Sequence, residues 1–173
     1  VITWEYVWSV CKKAIEEKNE NQNLYPLIYK STDNMTIQLL KQMGIDYTSN
    51  DKDIYLFNDD TKNLLLELQS YANNKYFEIF ARVSYPGNHF NRGNCIFAID
   101  STAGATWIGG DAPLQDIPEN ERVSFETVVR PIPQVDANNP YMISQGPSVC
   151  IFNKNDSQEV LASWLFAQFL LNK

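Results

Sequence analysis

Short apolar runs standing singly between longer stretches of helical spacing restrict this chain more than any other feature. "LYPLIY" (24–29) and "CIFAI" (95–99) are short and apolar and suit buried strands. Before the first of them, residues 3–18 place Trp4, Val7, Trp8, Cys11, Ala14 and Ile15 on one helical face, with Thr3 positioned to cap it. Residues 32–43 turn Met35, Leu39, Leu40 and Met43 inward and end at Gly44, a residue suited to a helix C-terminus. Asn58 or Asp59 then caps a third helix whose core stripe is Leu64, Leu65, Leu68, Tyr71 and Ala72. The order of helices and single strands predicts an α/β fold.

The remaining segments are less regular. Pro26 moves the first strand toward a sheet edge, because proline donates no ladder hydrogen bond. Residues 45–57 read as two short strands around Ser49, Asn50 and Asp51. Periodicity fades over 76–92, which reads as loop or one short helical turn. A helix starts at 101–108, and Gly, Pro and charge mark a surface loop after it. "VSFETVVRPIP" (123–133) alternates as a strand does, and residues 141–152 are extended with a break at Gly146-Pro147. Asp156 and Glu159 form a capping box for a helix over 157–171. Its Val160, Leu161, Trp164, Leu165, Phe166, Phe169 and Leu170 occupy most of the circumference and need cover on several sides.

With 44% hydrophobic residues over 173 positions the chain can bury a core, and 13% aromatics rule out a disordered segment. The formal charge of −7 argues against binding nucleic acid through a basic surface. No apolar stretch approaches the roughly 20 residues that cross a bilayer. Cys11, Cys95 and Cys150 are isolated in apolar segments without zinc or redox spacing, as small core hydrophobes are, and a Cys95–Cys150 bridge is left open. The single histidine, His89, has no candidate nucleophile nearby and reads as a surface or packing residue. No Gly-x-Ser-x-Gly elbow, metal-ligand spacing or phosphate loop is present, so neither catalysis nor a cofactor is indicated.

Binding chemistry concentrates where the strands end. In "AIDSTAGATW" (98–107) an apolar strand runs into Ser101, Thr102 and Gly104, with Trp107 beyond. Hydroxyls and backbone N–H groups at such a junction favour an anionic or polyhydroxylated ligand, glycine admits it close to the backbone, and Trp107 offers an apolar platform. The competing explanation is that Ser101 or Thr102 is an ordinary N-cap and Trp107 is core. "STDN" (31–34), with Ser31, Thr32 and Asn34, and "SQGPS" (144–148), with Ser144, Gln145 and Gly146, are two more polar junctions. Open α/β sheets bind ligands at their carboxyl edge, which is where such junctions gather.

These segments resemble the family 1 extracellular solute-binding proteins, the ligand receptors of ABC importers for sugars and related solutes. The similarity rests on "TWEYVWSVCKKAIEE", "YPLIYKSTDN", "FNDDTKNLLLELQSYANNKYF", "FNRGNCIFAIDSTAGATW", "VVRPIPQ", "SQGPSVCIFNK" and "EVLASWLFAQFLLNK", in that order along essentially the whole chain. It implies a periplasmic-binding-protein-like lobe of type II, with helices around a small mixed sheet. Residues 1–141 would form most of the second lobe, and residues 142–173 a strand and helix crossing back to the first. The chain is expected to be an internal fragment of an extracytoplasmic lipoprotein.

By the same resemblance Ser101, Thr102, Gly104, Ser144, Gln145 and Gly146 face the cleft, with Ser31, Thr32, Asn34 and Trp107 beside them. Many sugar-binding members carry aromatics directly after that strand. Here the segment is Ser-Thr-Ala-Gly, more similar to members that take glycerol-3-phosphate or its diesters. The expected partners are a small polar solute and a membrane permease, with no nucleic acid and no cofactor. Two copies pairing through 142–173 is a further expectation. The rival expectations are a fragment of a carbohydrate-active enzyme using a carboxylate such as Asp100, and a protein-interaction domain.

Overall fold

The computed structural model describes residues 1–171 except 21, 50, 52, 79–84, 111, 115 and 147. It divides into two compact units, residues 1–143 and 144–173, each described by itself.

In the first unit, α1 (Trp4–Glu17) is capped by Thr3, whose hydroxyl accepts from Tyr6 N–H at 3.3 Å. β1 (Tyr25–Tyr29) follows, then α2 (Thr32–Gln42), whose chain turns away at Gly44 with φ +70. Asn58 caps α3 (Asp59–Asn73) by accepting from Thr61 N–H at 2.7 Å. β2 (Phe77–Glu78), α4 (Pro86–Asn91) and β3 (Cys95–Ile99) complete the regular elements. Two short 3-10 turns, Thr102–Thr106 and Glu119–Glu121, come after β3.

The strands form one parallel sheet in the order β2-β1-β3. The fold is thus α/β, as the element order predicts, while the described strands are all parallel where a mixed sheet was expected. Leu27 pairs with Phe77 on one side and Phe97 on the other. Pro26 therefore lies in the central strand, against the expectation that it marks an edge. It is tolerated near the start of β1, where Tyr25 N–H donates to Asn94 O at 2.8 Å and Leu27 N–H to Tyr76 O at 3.2 Å. Those flanking donors anchor the strand on both sides without the N–H that proline lacks.

The core gathers Trp4, Val7 and Cys11 of α1, Met35, Leu39 and Leu40 of α2, Leu64 of α3, and Leu27, Tyr29 and Phe77 of the sheet. Trp8 stacks on Trp4 at 5.7 Å and on Tyr71 at 4.4 Å between ring centroids, joining α1 to α3. Two inward assignments fail: Met43 and Leu65 are exposed, because they lie at the margin of the stripe that meets the sheet. Cys11, Cys95 and Cys150 are all free thiols, and burial pushes the Cys11 and Cys95 thiols up to about 12.

Three expected strands are not built. Over 45–57 the chain makes one isolated antiparallel bridge, Thr48 to Ile54, and expected turn residue Asn50 lies outside the described residues. Residues 123–133 are extended but join no ladder, and the nearest bridge is Thr3 to Gln134. Side chains hold the chain from Pro133 to Ile143 in place. Gln42 Oε1 accepts from Trp4 Nε1 at 2.9 Å and from Val135 N–H at 3.2 Å, and its Nε2 donates to Pro133 O at 3.0 Å. Buried Gln38 accepts from Ile143 N–H at 2.7 Å, and buried Gln134 accepts from Tyr141 N–H at 2.8 Å. The strand-patterned segment thus leads into a strap fastened by glutamine side chains and by the backbone bridge at Gln134.

The second unit is an extended segment followed by α5 (Ser157–Leu171). No strand forms over 141–152 among the described residues, and Pro147 of the expected Gly-Pro break lies outside them. Asp156 caps α5 by accepting from Gln158 N–H at 2.8 Å, while Glu159 turns to Lys154 Nζ at 2.7 Å, so the capping box is half used. Leu161, Trp164, Leu165, Phe166, Phe169 and Leu170 are exposed. None of the described helices is long and apolar enough to cross a membrane.

His89 packs edge-on against Tyr25 at 5.2 Å, a packing role as expected. Burial, and then the Arg92 charge, hold its imidazole below the ordinary value of 6.5. Below pH 6.5 the unfolded chain takes up a proton that the folded chain resists. Stability should therefore fall as pH drops from 6.5 to the lowered folded value and flatten beyond it. Melting curves between pH 7.5 and 5 should show that decline, and His89→Gln should reduce it; an equal decline in the variant would assign it to other groups.

Candidate functional site

β1 and β3 run parallel with Tyr29 opposite Ile99, so both strands end at the same level. Lys30 N–H donates to Ile99 O at 3.0 Å, which carries the pairing to the last residue. From there β1 leads toward α2 and β2 on one side, while β3 has arrived from the other. Such a reversal of strand order is where open α/β sheets leave a crevice at their carboxyl edge. The sequence junctions fall on it: Ser31, Thr32 and Asn34 follow β1, and Ser101, Thr102 and Gly104 follow β3.

The two junctions use their hydroxyls differently. Ser31 is an N-cap: its Oγ accepts from Asn34 N–H at 3.4 Å and its hydroxyl donates to Asp33. That bond, with the Asn34 backbone N–H next in weight, holds the Asp33 carboxyl below its ordinary range. Thr32 is exposed on the first turn of α2.

After β3 the local cap is a different residue from the one expected. Asp100 Oδ1 accepts from Ser101 N–H at 2.7 Å, and its carboxylate lies under the turn. A Cβ on Gly104 would sit 2.6 Å from Asp100 Cγ, so only glycine lets the turn close over that side chain. Ser101 and Thr102 are exposed, their side chains make no cap bond, and neither hydroxyl has a partner among the described residues. The expected helix at 101–108 is this five-residue 3-10 turn.

Trp107 is 44% exposed, so it is not core. Its backbone is fixed by α4: buried Asn91 donates through Nδ2 to Trp107 O at 2.9 Å and accepts from Gly109 N–H at 2.8 Å. Gly87 lies so close that a Cβ there would be 2.8 Å from Trp107 O. The residue before α4, Tyr85, is 59% exposed, and Lys30 Nζ lies 3.9 Å from the centre of its ring. Lys30 and Tyr85 therefore join the site, although neither was expected there from the sequence. Lys30 was legible as the residue closing the strand; Tyr85 was not, since it follows a stretch without periodicity.

Ser144, Gln145 and Gly146 are exposed and belong to the second unit. A depression of about 400 Å³ lies at the C-terminal end of α2, lined by Gly44, Ile45, Asp46, Tyr55, Phe57 and Asp60 among others. Since α2 starts at the carboxyl edge and runs about 16 Å, that depression is at the far end of the helix from the junctions. Among the described residues no group of His, Cys, Asp and Glu side chains could hold a metal ion. The junctions after β1 and β3 thus place hydroxyl, ammonium, carboxylate and aromatic groups near one edge of the sheet. Comparison with protein-family models, with curated proteins and with solved structures finds no match.

Proposed function

We propose that this chain supplies one wall of a two-lobed receptor that captures a small polar solute and delivers it to an ABC permease. The chain would then be a type II periplasmic-binding-protein-like lobe, as the resemblance to family 1 extracellular solute-binding proteins implies. The solute is a sugar, an oligosaccharide or a phosphorylated polyol, and the receptor is extracytoplasmic and lipid-anchored. The observation that carries it is the parallel register of Tyr29 with Ile99, which sets the junction after β1 beside the junction after β3. The hydroxyls of Ser101 and Thr102, without partners among the described residues, add to it, because polar groups exposed at the carboxyl edge of an open sheet are available to a ligand. A second lobe closing on this wall would exclude water and strengthen each polar contact, with the solute stabilising the closed population. Ser144, Gln145 and Gly146 would belong to the crossing segment.

An enzymatic role for Asp100 is less well supported, since its carboxylate is occupied by the Ser101 N–H beneath the turn. In a thermal-shift screen of the full-length protein, one sugar or phosphorylated polyol should raise the melting temperature, because a ligand bound only by the native state stabilises it. A flat response across both classes from correctly folded protein would count against the receptor. Thr102→Val should weaken that ligand about 3- to 10-fold in calorimetry, the loss of one neutral hydrogen bond, with little change in melting temperature. Unchanged affinity would remove Thr102 from the site.

A further inference from the structure

The charged groups of the two junctions, Lys30, Asp33 and Asp100, are not equally engaged. The Asp33 carboxylate is taken by the Ser31 hydroxyl, and the Asp100 carboxylate by Ser101 N–H and the turn closed over it. Each anion keeps its charge but gives an oxygen to its own turn. Lys30 has no ion-pair partner among the described residues. Its ammonium instead lies 3.9 Å from the centre of the Tyr85 ring, a contact that orients a cation without neutralising it. Its backbone is fixed too, through the 3.0 Å bond to Ile99 O beside the Asp100 junction. Tyr85 directly precedes α4, whose Gly87 packs on the Trp107 carbonyl, and Lys30 N–H bonds Ile99 O two residues before Ser101, so the backbone brings Lys30 and the Ser101–Thr102 turn to the same edge of the sheet.

Resting on the receptor reading above, we propose that the solute carries an anionic group, a phosphate or a carboxylate, that Lys30 binds together with the free hydroxyls of Ser101 and Thr102. The ammonium supplies the charge, and the two O–H groups donate to oxygens that a neutral sugar does not present at the same density. Tyr85 holds the lysine in place and leaves its outer face to the ligand. A neutral solute of the same shape would leave the Lys30 charge unmatched when the cleft closes, which is the basis of discrimination.

Calorimetric titration of the full-length protein with glucose 6-phosphate, gluconate, glucose and inorganic phosphate tests this. At least one of the two anionic sugars should bind about 10-fold or more tightly than glucose, the size of one charge-assisted contact. Lys30→Met should bring that ligand close to the level of glucose, weakening it far more than it weakens glucose, with the fold checked by melting. Tyr85→Leu keeps the charge but frees the chain, so it should produce a smaller loss of the same selectivity. Glucose binding as well as both anionic sugars, or Lys30→Met weakening all ligands equally, would overturn the anionic assignment and leave the receptor reading standing. Inorganic phosphate binding as tightly as the sugar phosphate would overturn the assignment of a polyhydroxylated anion. Binding by none of the four, and by no other sugar or polyol, would overturn the receptor reading and this inference with it.

Discussion

Gln42→Leu should cost about 2–4 kcal/mol, because one substitution leaves several polar groups without a partner. The most expensive is Trp4 Nε1, whose residue is 4% exposed and whose indole N–H bonds Gln42 Oε1 at 2.9 Å. Gln42 Nε2 also serves Pro133 O, Gln134 Oε1 and Tyr141 O at 3.0, 2.9 and 3.1 Å. Leucine can fill much of the volume but offers neither a donor nor an acceptor. Since residues 133–143 pair, among the described residues, only through the isolated bridge at Gln134, the cheapest response is for the strap beyond it to lift and let water satisfy its backbone. Urea unfolding should show the loss, and hydrogen exchange should quicken over 133–143 while β1 stays protected. Loss of stability with unchanged exchange in the strap would mean that the glutamine acts through Trp4 alone.

Gly104→Val should cost about 1–3 kcal/mol by overpacking the turn. The added carbon would meet Asp100 at 2.6 Å from Cγ and 2.8 Å from Cβ, too close to be relieved by a small swing of the carboxylate. Asp100 would have to leave, and the bond from Ser101 N–H would go with it. The two sites should therefore couple: in an Asp100→Gly background, which removes Cβ as well as the carboxylate, the valine should cost less than half as much, since every clashing atom is gone. Additive costs would place the clash elsewhere. The single variant should also weaken the solute, because the turn that presents Ser101 and Thr102 would have lost its floor.

Much of the scaffold was legible because it is written in local rules. The caps at Thr3 and at Asn58, one of the two residues offered there, and the turn at Gly44 each depend on residues within four positions of one another, and all occur as read; the cap at Ser31 is equally local but reads in the sequence as a ligand contact. Strands were harder. β2 is only Phe77 and Glu78, too short to show any period, and it exists because β1 offers Leu27 and Ile28 to pair with. The alternation over 123–133 is as regular as a strand's, yet no neighbour receives it. Pro26 signalled an edge by its missing donor, but Tyr25 and Leu27 anchor the ladder around it. At the site, the hydroxyl and glycine cluster could be seen in the sequence, while the division of labour could not. That Asp100 rather than Ser101 serves the turn depends on how the chain leaves β3. Lys30 meets Tyr85 only because α4 returns across the sheet, a long-range fact without a local trace.

The parallel sheet also constrains how this protein comes into being. No strand has its neighbour next to it along the chain: Leu27 waits for Phe77 until two helices have been synthesised, and for Phe97 until a third has followed. Every pairing must first close a long loop, so the entropy is spent before any ladder bond is made. The sheet should therefore appear late and all at once during folding. A nascent chain still short of β3 would hold β1 with one flank uncovered and depend on protection from other molecules until the ribosome has passed Ile99.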